Sequence, residues 1–87
     1  MANRLVSHRL EARYLANQVE ALQQNGSDVY WSFIDTCSAG DQTAALIERV
    51  LPVNDEGKVL VRFTESALRA RSVPADEMVS IHYVARM

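Results

Sequence analysis

The side chains with the most chemistry to offer in this 87-residue chain are Asp35, Cys37, Ser38 and Asp41, gathered in the small, polar, glycine-containing stretch from Thr36 to Gln42 and its border, together with His8 and His82. A cysteine nucleophile needs a neighbouring base to form thiolate. The two histidines lie near opposite ends of the chain, and neither spacing brings an imidazole to Cys37. Cys37 therefore reads as a buried or incidental thiol. A single cysteine makes no internal disulfide, and one cysteine with two histidines gives no zinc-ligand spacing. Gly40 stands without the further glycines and following lysine of a phosphate-binding loop. The expectation is a chain with no catalytic residues, no metal and no cofactor. Enzyme activity would require subunits to assemble a pocket between them.

Binding is the better prospect. The residues that suit it are Arg62, Arg69 and Arg71, the aromatic pair Tyr30 and Trp31, and the loop acids Asp35 and Asp41. For the aromatics the ordinary use is core packing, because a small core needs their area. The three arginines could form a basic stripe across neighbouring strands, or a solvated face paired with carboxylates such as Glu48 and Glu65. A net charge of −2 and a pI near 5.6 argue against a polyanion as the main partner, since phosphate binding needs clustered Lys and Arg. The charge is unevenly spread. Residues 1–26 hold Arg4, Arg9 and Arg13 against Glu11 and Glu20, and the acidic surplus falls after them.

These residues need elements to carry them, and length allows one domain with a modest core. An apolar fraction of 48% and a charged fraction of 23% are those of a globular protein, and no apolar run is long enough to cross a bilayer. No signal-peptide apolar region follows Arg4, so a cytoplasmic location is expected. From Met1 to Gly26, Leu5, His8, Ala12, Leu15, Val19 and Leu22 recur at spacings of three and four, which predicts one helical stripe. Asn25 and Gly26 supply its end. The stripe suits two uses: packing on the sheet, or a short coiled coil with Leu5, Ala12 and Val19 at one core position and His8, Leu15 and Leu22 at the other. A homodimer through this helix would weaken as pH falls towards the ordinary imidazole pKa of about 6.5 if His8 lay in the seam.

The rest of the chain reads as strands. Val29 to Asp35 combines β-branched and aromatic residues. Ile47 to Val53 and Lys58 to Thr64 flank Asn54-Asp55-Glu56-Gly57, a connection with Gly last that suits a type I turn and bulge. Alternation turns Val59, Val61 and Phe63 inward and Lys58, Leu60 and Arg62 outward. Ala67 to Val73 reads as strand or helical turn, Pro74 to Met78 as a Pro-led helical turn, and Val79, Ile81 and Tyr83 give the cleanest alternation in the chain.

This order of strand, loop, strand, tight hairpin, strand, Pro-led turn and last strand resembles an SH3-like barrel of the Tudor or chromo-barrel kind. Ile47 to Val53, the Asn54 to Gly57 turn, Val59 to Phe63 and above all Val73 to Ile81 carry the resemblance, over about residues 28–84. It implies an α+β, mostly β, fold: an N-terminal amphipathic helix over residues 1–26, then a five-stranded antiparallel barrel over residues 27–87, in one compact domain. Ligands of such barrels meet the rim loops or an exposed edge. The stretch before Thr43 lacks the aromatic pair of a methyl-lysine cage. The resulting expectation is a non-catalytic adaptor or inhibitor that binds a protein partner through helix and rim. The alternative is a nucleic-acid-associated module using the arginine stripe.

Overall fold

The computed structural model describes residues 3–32, 44–65 and 69–86. Six strands form one open antiparallel sheet in the order β1-β6-β2-β3-β4-β5: β1 Asn3–Glu11, β2 Val29–Ser32, β3 Ala44–Val50, β4 Lys58–Phe63, β5 Arg71–Pro74 and β6 Met78–Arg86. Between β1 and β2 the chain makes a 3-10 turn, Ala12–Tyr14, and the helix α1, Leu15–Gln24. The mostly β composition agrees with the sequence reading. The closed five-stranded barrel does not, because β1 and β5 are unpaired edges of a six-stranded sheet.

The largest correction concerns residues 1–26. Leu5 and His8 lie on a strand, not on a helix, and β1 pairs with β6 along its whole length, from Asn3 opposite Arg86 to Glu11 opposite Met78. The same residues satisfy two periods. Leu5, His8 and Ala12 have helical spacing, but Val6, His8 and Leu10 have strand spacing, and burial follows the second: Leu10 is 8% exposed and Leu5 68%. The ladder with β6 decides between them, because each strand leaves backbone groups that only the other satisfies. Helix begins only where the chain has left β6.

Ala12, Leu15 and Val19 are buried in the core with Val29, Trp31, Ile47, Val61 and Ile81, and Leu22 packs against it. Four of the six stripe residues are thus spent inside the chain, which removes the seam of the expected coiled coil. The helix ends as its sequence suggests. Gly26, at φ 84, donates to the Gln23 carbonyl, and the Ser27 N–H to that of Leu22.

The 3-10 turn also pins the curled sheet. Ala12 N–H donates to the Glu77 carbonyl at 2.8 Å and Arg13 N–H to that of Ala75 at 2.9 Å, tying the end of β1 to the β5–β6 connection. That connection is a hydrogen-bonded turn, Glu77 N–H to Pro74 carbonyl, rather than the expected helical turn; Pro74 itself closes β5. Of Ala67 to Val73, expected as strand or helical turn, Arg71 to Val73 lie in β5, Arg71–Pro74; Ala67 and Leu68 lie outside the described residues, and Ala70 is exposed. The β3–β4 turn is as read. Asn54 Oδ1 accepts from the N–H groups of Glu56 and Lys58, and Gly57 takes φ 74.

A bulge interrupts β3 between Ile47 and Arg49. Two polar residues between two core residues, Ile47-Glu48-Arg49-Val50, cannot keep a period of two. The bulge absorbs the extra residue, exposes both Glu48 and Arg49, and returns Val50 to the core. Its carbonyls at Ile47 and Glu48 accept from the Gln23 side chain of α1, at 3.1 and 3.2 Å.

Candidate nucleic-acid interface on the open sheet

Folding separates charge that is mixed along the chain. Among the described residues, seven of the nine basic ones (Arg4, Arg9, Arg49, Lys58, Arg62, Arg71, Arg86) lie in strands, against two of nine acidic ones (Glu11, Glu48). The other described acidic residues sit on α1, as Glu20, or in turns and connections, as Asp28, Asp55, Glu56, Glu65, Asp76 and Glu77.

The sheet face away from the core holds the candidate site. Strand alternation places Arg9, Lys58 and Arg62 there, since Leu10, Val59, Val61 and Phe63 turn inward. The bulge brings Arg49 into register directly opposite Arg62, and the Arg49 side chain also borders the groove between α1 and β3. Both guanidinium groups are on exposed residues, and among the described residues neither has an ion-pair partner. Like charges directly across an antiparallel pair repel and destabilise it. An anion between them would reverse the sign.

Register carries a row of less polar side chains across the same face. Ser7 lies opposite His82, His82 opposite Tyr30, and Tyr30 opposite Leu46, whose carbonyl accepts from Thr64 N–H. Tyr30, Leu46 and His82 are half-buried, so their flat or apolar parts remain reachable. Ser7 Oγ and His82 Nδ1 are 2.9 Å apart. Among the described residues no carboxylate bonds to His82, so the pair lacks the third member of a nucleophilic triad. Arg62 is two strands from Tyr30, roughly 10 Å laterally at the usual strand spacing, a separation suited to a base on the aromatic and its phosphate on the arginine.

Of the residues read from the sequence, Arg62 and Tyr30 are brought to this face. Trp31 goes the other way, into the core at 5% exposure. Arg71 pairs opposite Val61 and so takes the inward phase at an edge, and Arg69 lies outside the strands. The expected stripe of Arg62, Arg69 and Arg71 is therefore not one row. Asp35, Cys37, Ser38 and Asp41 lie outside the described residues. Arg49 is the member that simple alternation misses; the paired polar residues within Ile47 to Val50 were its signal.

A second concavity lies between α1 and the bulged hairpin. It is an open groove of about 870 Å³, with Ala16, Val19 and Val50 on its floor and Arg13, Glu20, Arg49 and Val53 at its border. Its mixed charge gives no preference for an anion. Among the described residues there is no group of three His, Cys, Asp or Glu able to hold a metal ion, and no helix is long and apolar enough to cross a membrane.

Residues 2–77 match a known family model. The chain belongs to the family described as "Protein of unknown function (DUF3577)". That description names no activity for DUF3577. No curated protein and no solved structure matches the chain.

Proposed function

We propose that this DUF3577 chain is a non-catalytic module that binds single-stranded nucleic acid on the exposed face of its sheet. The observation that carries the reading is the direct opposition of Arg49 and Arg62, two exposed cations with no ion-pair partner among the described residues, on strands that concentrate the basic residues of an acidic protein. Phosphate would relieve their repulsion. Tyr30 and His82 offer surfaces for bases, and base-aromatic stacking tolerates any sequence. A single strand suits such a face better than a duplex, whose bases are already stacked. This role belongs in the cytoplasm, in keeping with a lone cysteine and no disulfide requirement.

The test is binding of labelled single-stranded DNA and RNA as salt rises from about 50 to about 200 mM. Affinity should fall steeply, and Arg49→Gln with Arg62→Gln should weaken it and lower the log-log salt slope by about 0.7 for each phosphate that the arginines neutralise. Binding indifferent to salt, or unchanged in the double variant, would sink the proposal.

The groove beside α1 favours a second reading, a protein-binding adaptor. Its apolar floor and border charges of both signs suit a protein segment better than a polyanion. Glu20→Lys and Val53→Asp should then abolish capture of a protein partner while leaving nucleic-acid retention intact; capture unaffected by both changes would count against it.

A further inference from the structure

We propose that the cavity bounded by β2, β5 and the start of β6 receives one pyrimidine base of the bound strand. This rests on the nucleic-acid reading above and adds a base-selective subsite to it. The cavity has a volume of about 130 Å³ and includes Trp31, Ser32, Arg71, Glu77 and Ser80 in its lining. That is close to the volume of about 150 Å³ that accepts a benzene ring in a protein interior. The cavity is thus of the size of a single six-membered ring.

The chemistry of the lining points to a ring bearing carbonyl groups. Trp31 is 5% exposed, and its Nε1 is buried without a hydrogen-bond partner among the described residues. Buried donors are ordinarily paired, so an orphaned one in a cavity wall calls for an acceptor that enters from outside. An indole N–H is donor only. The Arg71 guanidinium adds further donors, the hydroxyls of Ser32 and Ser80 serve either role, and the Glu77 carboxylate accepts. Thymine and uracil match this set: two carbonyl oxygens accept and the ring N–H between them donates. Arg71 supplies positive charge at the cavity, which suits the strand's phosphates.

Trp31 is the only tryptophan, so its emission reports on the cavity alone. The experiment titrates the full chain with oligothymidylate, oligoadenylate of equal length and free thymidine monophosphate, following emission and, with labelled oligomers, anisotropy. Oligothymidylate should shift the emission and bind about tenfold tighter than oligoadenylate, the discrimination expected of one or two hydrogen bonds made or left unmade. Thymidine monophosphate should give the same shift at much higher concentration. Trp31→Phe, followed by anisotropy, should erase the preference while sparing oligoadenylate binding. Arg71→Gln, at an exposed position, should reduce the preference without endangering the core.

Equal binding of the two oligomers with unchanged emission would overturn the base site and leave the face reading standing. An emission shift with thymidine monophosphate but none with the oligomer would overturn it too, by assigning the cavity to a free nucleotide. Failure of every oligomer to bind at low salt would overturn both.

Discussion

Arg49 and Arg62 face each other because a bulge brings one of them into register, and their placement sets stability against binding. If the opposition is repulsive, Arg62→Glu should stabilise the free protein by about a few tenths of a kcal/mol, a small value because both residues are exposed to screening solvent. The same substitution should weaken nucleic-acid binding. Urea midpoints and strand affinities measured on one preparation would check both signs; a variant that loses both stability and binding would show the arginine to be structural. Gly57 makes a cleaner case at the turn. A Cβ there would meet nothing within 4 Å, so only its φ of 74 resists substitution. Gly57→Ala should cost about 1 kcal/mol and Gly57→Asn less, because asparagine tolerates the left-handed region. Equal costs would mean that the turn relaxes to another type.

Among the elements, β1 carries the sharpest prediction. In the strand, Leu10 is buried and Leu5 points away from the core, whereas a helical stripe would bury Leu5 with Ala12. Leu10→Ala should therefore destabilise by about 2–5 kcal/mol and Leu5→Ala by less than about 0.5. Comparable losses at both positions would return the segment to a helix. The strands around Val59, Val61, Phe63, Val79 and Ile81 were legible in the sequence because one face is buried and the other solvated, leaving a period of two. The Asn54 to Gly57 turn was legible because its chemistry is local. Strand β1 was not, since its partner β6 is distant in sequence and nothing within residues 3–11 announces the ladder that overrides the spacing of Leu5, His8 and Ala12. Arg62 could be placed on the outer face by alternation. Arg49 could not, because counting by twos fails across a bulge.

At the scale of the whole molecule, net charge and local charge point in opposite directions. The chain is acidic at −2, yet among the described residues its strands hold seven basic residues against two acidic ones. Potential falls off over about a Debye length, roughly 10 Å at 0.1 M salt, so a polyanion lying along the sheet feels the strands before it feels distant turns and helix. Net charge alone would predict repulsion, and the two explanations separate by a matched pair of variants. Arg49→Gln with Arg62→Gln and Arg4→Gln with Arg69→Gln each remove two positive charges and give the same net charge. Arg4 lies at the far end of β1 in the inward phase and Arg69 outside the strands, so the second pair leaves the basic face intact. On a phosphate-bearing or heparin column at low salt, the wild-type chain and the Arg4/Arg69 variant should both be retained, and the Arg49/Arg62 variant should elute early. Equal loss in both variants would show that only total charge matters. The Arg49–Arg62 opposition would then be a tolerated repulsion at a bulge rather than a seat for phosphate.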